Sequence, residues 1–261
     1  MKVSVIIPSL NPDEKLICVV DSLIEAGFDD IILVNDGSDE NHMEPFEHVS
    51  AYPECTILTH EINKGKGRGL KTAFEYCIKN RPDIDGVVTV DGDNQHKAAD
   101  ILKCCEKMAE CKDKVVLGVR NFSGKDVPFK SRFGNNMTSF VFKFACGLNI
   151  SDTQTGLRAI PRQYLELFDK VKGERFEYET NMLLEFKQSH IDFVEVQIET
   201  VYIEENASTH FNPIKDSLKI YGVIFKFLFS SIASSVIDLA MFALISALMF
   251  GKLDGSIRIF T

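Results

Sequence analysis

The sequence predicts an α/β domain on a mostly parallel central sheet, followed by a C-terminal transmembrane helix. Three observations predict this. Short β-branched runs alternate with amphipathic stretches over residues 1–120. Strands separated by helices need crossover connections, which pair strands in parallel and cover both faces of the sheet. Polar, turn-forming clusters follow three of the strands, and ligands of such sheets sit beyond the strands' carboxyl ends. The run Phe227–Phe250 carries a single charge, Asp238, and a helix of about 20 apolar residues spans the hydrocarbon core.

The elements follow in order. The N-terminus runs straight into a strand at Val3–Ile7, too short an apolar run for a secretory signal. Strands are expected at Ile31–Val34, Thr56–Thr59, Gly86–Val90 and Val115–Val119, with helices near 14–26, 67–80 and 98–111 between them. Residues 120–212 are less regular. A loop at 120–131 precedes a helix at 132–147, a strand near 154–160, a helix near 177–188 and a strand near 192–202. Residues 213–226 form an amphipathic juxtamembrane stretch suited to lie along a membrane surface. The span and the start of another apolar segment occupy 227–261. Lys215, Lys219 and Lys226 before the span favour a cytosolic N-terminal domain; Lys252 and Arg258 after it pull the other way. A carboxylate at bilayer depth is costly, so Asp238 should face protein or water. That implies partner helices outside this chain and leaves a homo-oligomer open.

Composition narrows the classes. An apolar share of 45% and a charged share of 26% over 261 residues suit one folded domain with a little left over. A formal charge of −9 argues against nucleic acid as the main partner, since phosphate backbones are bound by clustered Lys and Arg. Seven Cys, scattered through apolar stretches without a C-x-x-C pair, suggest neither a zinc ribbon nor a disulfide framework. A reduced, cytosolic chain is the expectation.

The residues after the strands carry the chemistry. Pro8-Ser-Leu-Asn11-Pro-Asp13 follows the first strand, Asn35-Asp36-Gly-Ser-Asp39 the second, and Asp91-Gly-Asp93-Asn-Gln95-His96 the one at 86–90. Three clusters at neighbouring strand ends point to one crevice. Asp91-x-Asp93 can hold a hard divalent cation against a diphosphate, because such ions take carboxylate, water and phosphate oxygens; alternatively it builds a turn. Asp36 can accept the N–H groups of a uracil or guanine, or serve a turn or helix cap. The run Gly65-Lys66-Gly-Arg-Gly before a helix can bind phosphate through backbone N–H groups. It fails as a Walker A loop, because Leu70 precedes Lys71-Thr72 where a Gly is needed.

In this order and spacing the clusters resemble the family 2 glycosyltransferases of the GT-A fold. Gly118-Val-Arg120, Ser131-Arg132 and Asp152-Thr-Gln-Thr-Gly-Leu-Arg158-Ala are similar to the dolichyl-phosphate mannose synthase and polyprenyl-phosphate glycosyltransferase branch. The resemblance covers residues 1–212, and the span after it resembles the first helix of a GtrA-type membrane domain. It implies a metal-dependent inverting transfer from a UDP- or GDP-sugar to a polyprenyl phosphate at the cytosolic membrane face. Asp36 would read the base with Pro8, Asn11 and Asp13; Gly65 and Lys66 would join the nucleotide site. Asp91, Asp93 and Gln95 would hold Mg²⁺ or Mn²⁺. Arg120, Arg132 and Arg158 would meet the acceptor phosphate or the donor diphosphate, with surface salt bridging as the alternative. Asn35 and Ser9 stand where the family more often has Asp and Tyr, and Ser208-Thr-His-Phe211 where relatives often carry an Arg-containing loop.

An acceptor phosphate is already anionic and needs no general base, only cations to approach a diphosphate. A saccharide hydroxyl would need a carboxylate base. Glu179 is the candidate for that work, or else a helix-start carboxylate favoured by the dipole. Transfer to a hydroxyl in cell-wall or capsule synthesis is thus the second reading. A non-catalytic nucleotide-sugar-binding accessory protein is the third.

Overall fold

The computed structural model describes residues 1–122, 132, 135, 136, 138–140, 142–199 and 215–250. A seven-stranded sheet runs in the order β3-β2-β1-β4-β6-β5-β7. Its strands are β1 (Val3–Ser9), β2 (Ile31–Asn35), β3 (Cys55–Thr59), β4 (Gly86–Thr89), β5 (Val115–Arg120), β6 (Arg158–Pro161) and β7 (Phe193–Ile198). The helices are α1 (Lys15–Glu25), α2 (Glu44–Val49), α3 (Lys66–Asn80), α4 (Ala98–Glu110), α5 (Leu165–Asp169), α6 (Glu177–Gln188) and α7 (Lys215–Phe250).

The central strands are apolar along nearly their whole length because both faces are covered. Every residue of β2 and β4 is buried, as a parallel sheet between helical layers requires. The core joins Val5, Ile7 and Leu33 of the sheet to Leu16, Val20 and Leu23 of α1 and Ile101, Cys104 and Met108 of α4. Cys104 and Cys105 are fully buried there. Burial pushes both thiols up to about 12, which suits inert packing residues. At the rim of the sheet, β7 alternates partly buried Val194 and Val196 with exposed Glu195 and Gln197.

Register places the site. β1 pairs in parallel with β2, Ser9 opposite Asn35, and with β4, Ile6 opposite Thr89. The three strands therefore end at one edge of the sheet, and Asp36 and Asp91 emerge there. β6 departs from the parallel pattern: it runs antiparallel to both β4 and β5. After β5 the chain returns beside the same edge without crossing back, so a strand between β4 and β5 has to run the other way. The strand expected at 154–160 begins only at Arg158. Residues 155–157 instead turn over the end of β4, where Thr89 Oγ1 donates to the Gly156 carbonyl at 2.7 Å.

Two short helices, α2 and α5, escaped the periodicity, since each is too brief to show a helical repeat. Within the helix expected over 132–147 the structure has helical residues at 138–140 and a π-turn at Phe142–Cys146. Ser131 and residues 200–214, including Ser208–Phe211, lie outside the described residues.

By contact, Met1–Ile220 forms one unit and Tyr221–Thr261 a second. The expected transmembrane span is not found here. A long helix does form over the segment, yet among the described residues no helix is long and apolar enough to cross a membrane. Asp238 is the single charge of that helix between residues 227 and 250. Phe229, Leu239 and Phe242 are exposed on it.

Candidate active site

The carboxyl edge of β1, β2 and β4 opens into a cavity of about 440 Å³, within the range of small-ligand sites. Pro8, Asn11 and Asp13 line it from the end of β1, and Asp36 from the end of β2. Gly65 and Lys66 line it from the start of α3, and Asp91 and Asp93 from the end of β4. Eight of the residues singled out in the sequence thus share one wall. Arg175 and Phe176, which the sequence reading missed, line it as well.

The first two clusters brace each other. Asn11, in the left-handed region at φ 49°, donates its backbone N–H to Ser38 Oγ at 2.8 Å. Its side-chain amide exchanges hydrogen bonds with Asp39: Nδ2 donates to Oδ2 at 3.0 Å, and Oδ1 accepts from the Asp39 backbone at 2.9 Å. Asp13 accepts from the Lys15 backbone N–H at 3.0 Å at the start of α1.

Asp36 is nearly fully buried, and both carboxylate oxygens are engaged within the protein. Oδ1 accepts from Lys64 N at 2.8 Å and meets His60 Nδ1 at 2.7 Å; Oδ2 accepts from Gly65 N at 2.7 Å. His60 Nε2 lies 2.9 Å from Thr72 Oγ1, so Nδ1–H donating to Asp36 satisfies the whole chain. In this structure Asp36 organises the loop that delivers Gly65 and Lys66. Asp36→Asn leaves the carboxyl-accepted donors one acceptor short, and is expected to cost about 1–3 kcal/mol. A lower urea midpoint with unchanged slope would register it; an unchanged midpoint would refute the role.

Gly65 takes φ 104°, and a Cβ there would lie 2.4 Å from the Glu174 carbonyl oxygen. This close approach locks the 174–176 segment against the start of α3. Arg68 grips the Glu174 carboxylate through Nε (2.5 Å) and a second nitrogen (2.7 Å), Lys71 adds a contact at 3.3 Å, and Arg68 N donates to the Glu174 carbonyl. Arg175 and Phe176 reach the cavity from this clamp. Its partners are more than 100 residues apart in sequence, so no local pattern could have announced them.

Lys66 reaches Asp91 Oδ1 at 2.7 Å and Glu179 Oε1 at 3.1 Å. Burial pulls the Lys66 ammonium down, but the Asp91 and Glu179 carboxylates outweigh it and hold it above the ordinary lysine range. Burial likewise pushes Asp91 up, and Lys66 and His96 more than reverse this, leaving its carboxyl far below the usual range. Asp93 is raised by burial and then by repulsion from Asp91. A Cβ on Gly156 would lie 2.4 Å from Asp91 Oδ2, so the 155–157 turn fits closely over this carboxylate.

Among the described residues no group of three or more His, Cys, Asp or Glu is arranged to hold a metal. The donor set nevertheless fits the expected ion. Mg²⁺-type sites use one or two carboxylates and take the remaining ligands from water and phosphate. Asp91 and Asp93 repel each other across the cavity wall, and the Ser9 hydroxyl beside them is buried without a hydrogen-bond partner. Gln95 is not part of the lining; its backbone N–H donates to Asp93 Oδ1 at 3.1 Å.

The three arginines separate. Arg120 pairs with the fully buried Asp152, Nε to Oδ2 at 2.7 Å and a second nitrogen to Oδ1 at 3.2 Å. Arg158 is 1% exposed. It donates to the Thr155 and Glu179 carbonyls at 3.2 and 3.0 Å, and burial lowers its pKa. The expectation that Arg158 meets a phosphate is therefore corrected: β6 seats it inside the protein, behind Glu179. Arg132 is half-buried. Near it, Asn135 ties its stretch to Ser151 and Thr153. None of the three lines the cavity.

Sheet order, strand-end carboxylates and cavity together define an α/β protein with one polar small-ligand site at the carboxyl edge of its sheet. The chain belongs to glycosyl transferase family 2, whose model matches residues 4–168. It is a glycosyltransferase. A relative from Methanococcus voltae, a UDP-N-acetylglucosamine–dolichyl-phosphate N-acetylglucosaminyltransferase, is 30% identical over 220 residues, covering 76% of this chain and 85% of that protein. An undecaprenyl-phosphate 4-deoxy-4-formamido-L-arabinose transferase from Proteus mirabilis is 26% identical over 170 residues, 63% of this chain and 50% of its own length. The fold is similar to glucosyl-3-phosphoglycerate synthase from Mycobacterium tuberculosis, solved with Mn²⁺, UDP and phosphoglyceric acid. The TM-score is 0.63 at 16% identity, over 88% of this chain and 78% of that one. The family match ends at residue 168 and residues 251–261 lie outside the described residues, so the GtrA-like reading of the C-terminal end rests on the sequence resemblance alone.

Proposed function

We propose that the chain transfers a sugar from a UDP- or GDP-sugar to a polyprenyl phosphate at the cytosolic face of a membrane, using Mg²⁺ or Mn²⁺. The observation that carries this is the cavity wall where Asp91 and Asp93 face Lys66 at the carboxyl edge of the sheet. The dolichyl- and undecaprenyl-phosphate transferases among its relatives support the acceptor.

In this reading the nucleoside lies along Pro8, Asn11 and Asp13, with the loop held by Asp36 beneath it. Asp91 and Asp93 hold the cation, which supplies Lewis-acid stabilisation to the departing diphosphate. Lys66 contacts the diphosphate. Arg120 and Arg132 draw the acceptor phosphate in as paired cations. Arg158 supports the Glu179 carbonyl from within. The exposed apolar residues of α7 favour attachment to a membrane surface.

A saccharide hydroxyl as acceptor is the second reading, with Glu179 as base. The ion pair between Glu179 and Lys66 favours the first, because it engages the only carboxylate proposed for that work. The test is transfer of radiolabelled sugar from UDP-N-acetylglucosamine or GDP-mannose to undecaprenyl or dolichyl phosphate in detergent micelles with Mn²⁺. Lipid-extractable label that persists in Glu179→Gln and disappears in Asp93→Asn is expected. Label confined to a saccharide acceptor, abolished by Glu179→Gln, would establish the second reading instead.

A further inference from the structure

Lys66 makes an unusual choice of partners. Its ammonium bridges two carboxylates from separate elements, Asp91 just after β4 and Glu179 in the first turn of α6. All three side chains are largely withdrawn from solvent, at 19%, 30% and 15% exposure. The same lysine lines the cavity together with Asp93. A monocation is thus seated on a carboxylate that the proposed reaction needs for a dication.

We propose that Lys66 is a built-in competitor for the divalent cation, and that its transfer from Asp91 to the donor's diphosphate couples cation binding to nucleotide binding. This rests on the reading of the cavity as a site for a nucleoside diphosphate and a divalent cation. A dication approaching Asp91 repels the ammonium and must break a mostly buried ion pair, whose loss leaves charge unpaired. A diphosphate offers the ammonium new anionic oxygens a short side-chain rotation away. Cation and nucleotide therefore bind weakly apart and tightly together, and the coupling is reciprocal: each strengthens the other by the same factor. Lys66 therefore acts on the Asp91 carboxylate before the donor binds and on the donor's diphosphate afterwards.

The test measures free Mn²⁺ by electron paramagnetic resonance over the full chain, with and without UDP or GDP. For the wild type, one of the nucleotides is expected to tighten Mn²⁺ binding by about tenfold or more. Lys66→Met should bind Mn²⁺ alone about tenfold more tightly than the wild type, with most of the nucleotide's effect lost. Lys66→Gln, which keeps hydrogen-bonding capacity without charge, should behave the same way and serves if the Met variant fails to fold. Lys66→Arg, which keeps the charge, should bind Mn²⁺ alone as weakly as the wild type. Strong nucleotide coupling in the wild type with unaltered Mn²⁺ affinity in both neutral variants would overturn the competitor role while leaving the donor site standing. Failure of the wild type to bind Mn²⁺ with either nucleotide would overturn the site reading, and this inference with it.

Discussion

Asp91→Asn is expected to lower sugar transfer by about 10³-fold, the scale of losing one preorganised charge at a reacting centre. Asparagine keeps the shape under the Gly156 turn, so the fold survives, but one formal charge leaves the cation site. Lys66 then retains only Glu179. Initial rates at saturating donor, measured beside a circular dichroism melt, separate the two effects. A native melt with transfer within about tenfold of wild type would place the diphosphate elsewhere, since that is less than such a charge contributes.

Arg120→Met is expected to cost about 3 kcal/mol of stability, because Asp152 stays buried with no cation to answer its charge. For a chain of this size that corresponds to a fall in Tm of roughly 6–12 °C. Arg120→Lys should recover part of it, although a lysine cannot reproduce the two-pronged contact with the carboxylate. The double variant Arg120→Met, Asp152→Asn removes the orphaned charge and should be more stable than the single variant. Equal stabilities for the two would show that the pair contributes only its packing. Because Arg120 is held by Asp152, the acceptor-phosphate role proposed for it also predicts a higher KM for the polyprenyl phosphate in Arg120→Lys.

Several features were legible along the chain because they are local. Strands β1 to β5 and helices α1, α3, α4 and α6 stand close to where β-branched runs and helical periodicity placed them. The rule that ligands lie beyond strand ends then selected Asn11, Asp36, Asp91 and Asp93, and the register of β1 with β2 and β4 brings these ends level. Other features follow from contacts between distant segments. The antiparallel insertion of β6 depends on which edge the chain returns to after residue 120. Nothing in Arg158-Ala-Ile-Pro161 distinguishes it from a parallel strand, and its direction buries an arginine that the family resemblance had assigned to a phosphate.

Side-chain type and spacing along the chain were enough to specify an α/β sheet with acidic turns at one edge, since both follow from local conformational preference and the two-residue and 3.6-residue repeats. Which carboxylate each cation meets was set in three dimensions. Lys66 between Asp91 and Glu179, Arg120 on Asp152, and Glu174 clamped by Arg68 and Lys71 all join distant parts of the chain. Charge pairing depends on distance in space and on burial, and both exist only once the sheet has closed.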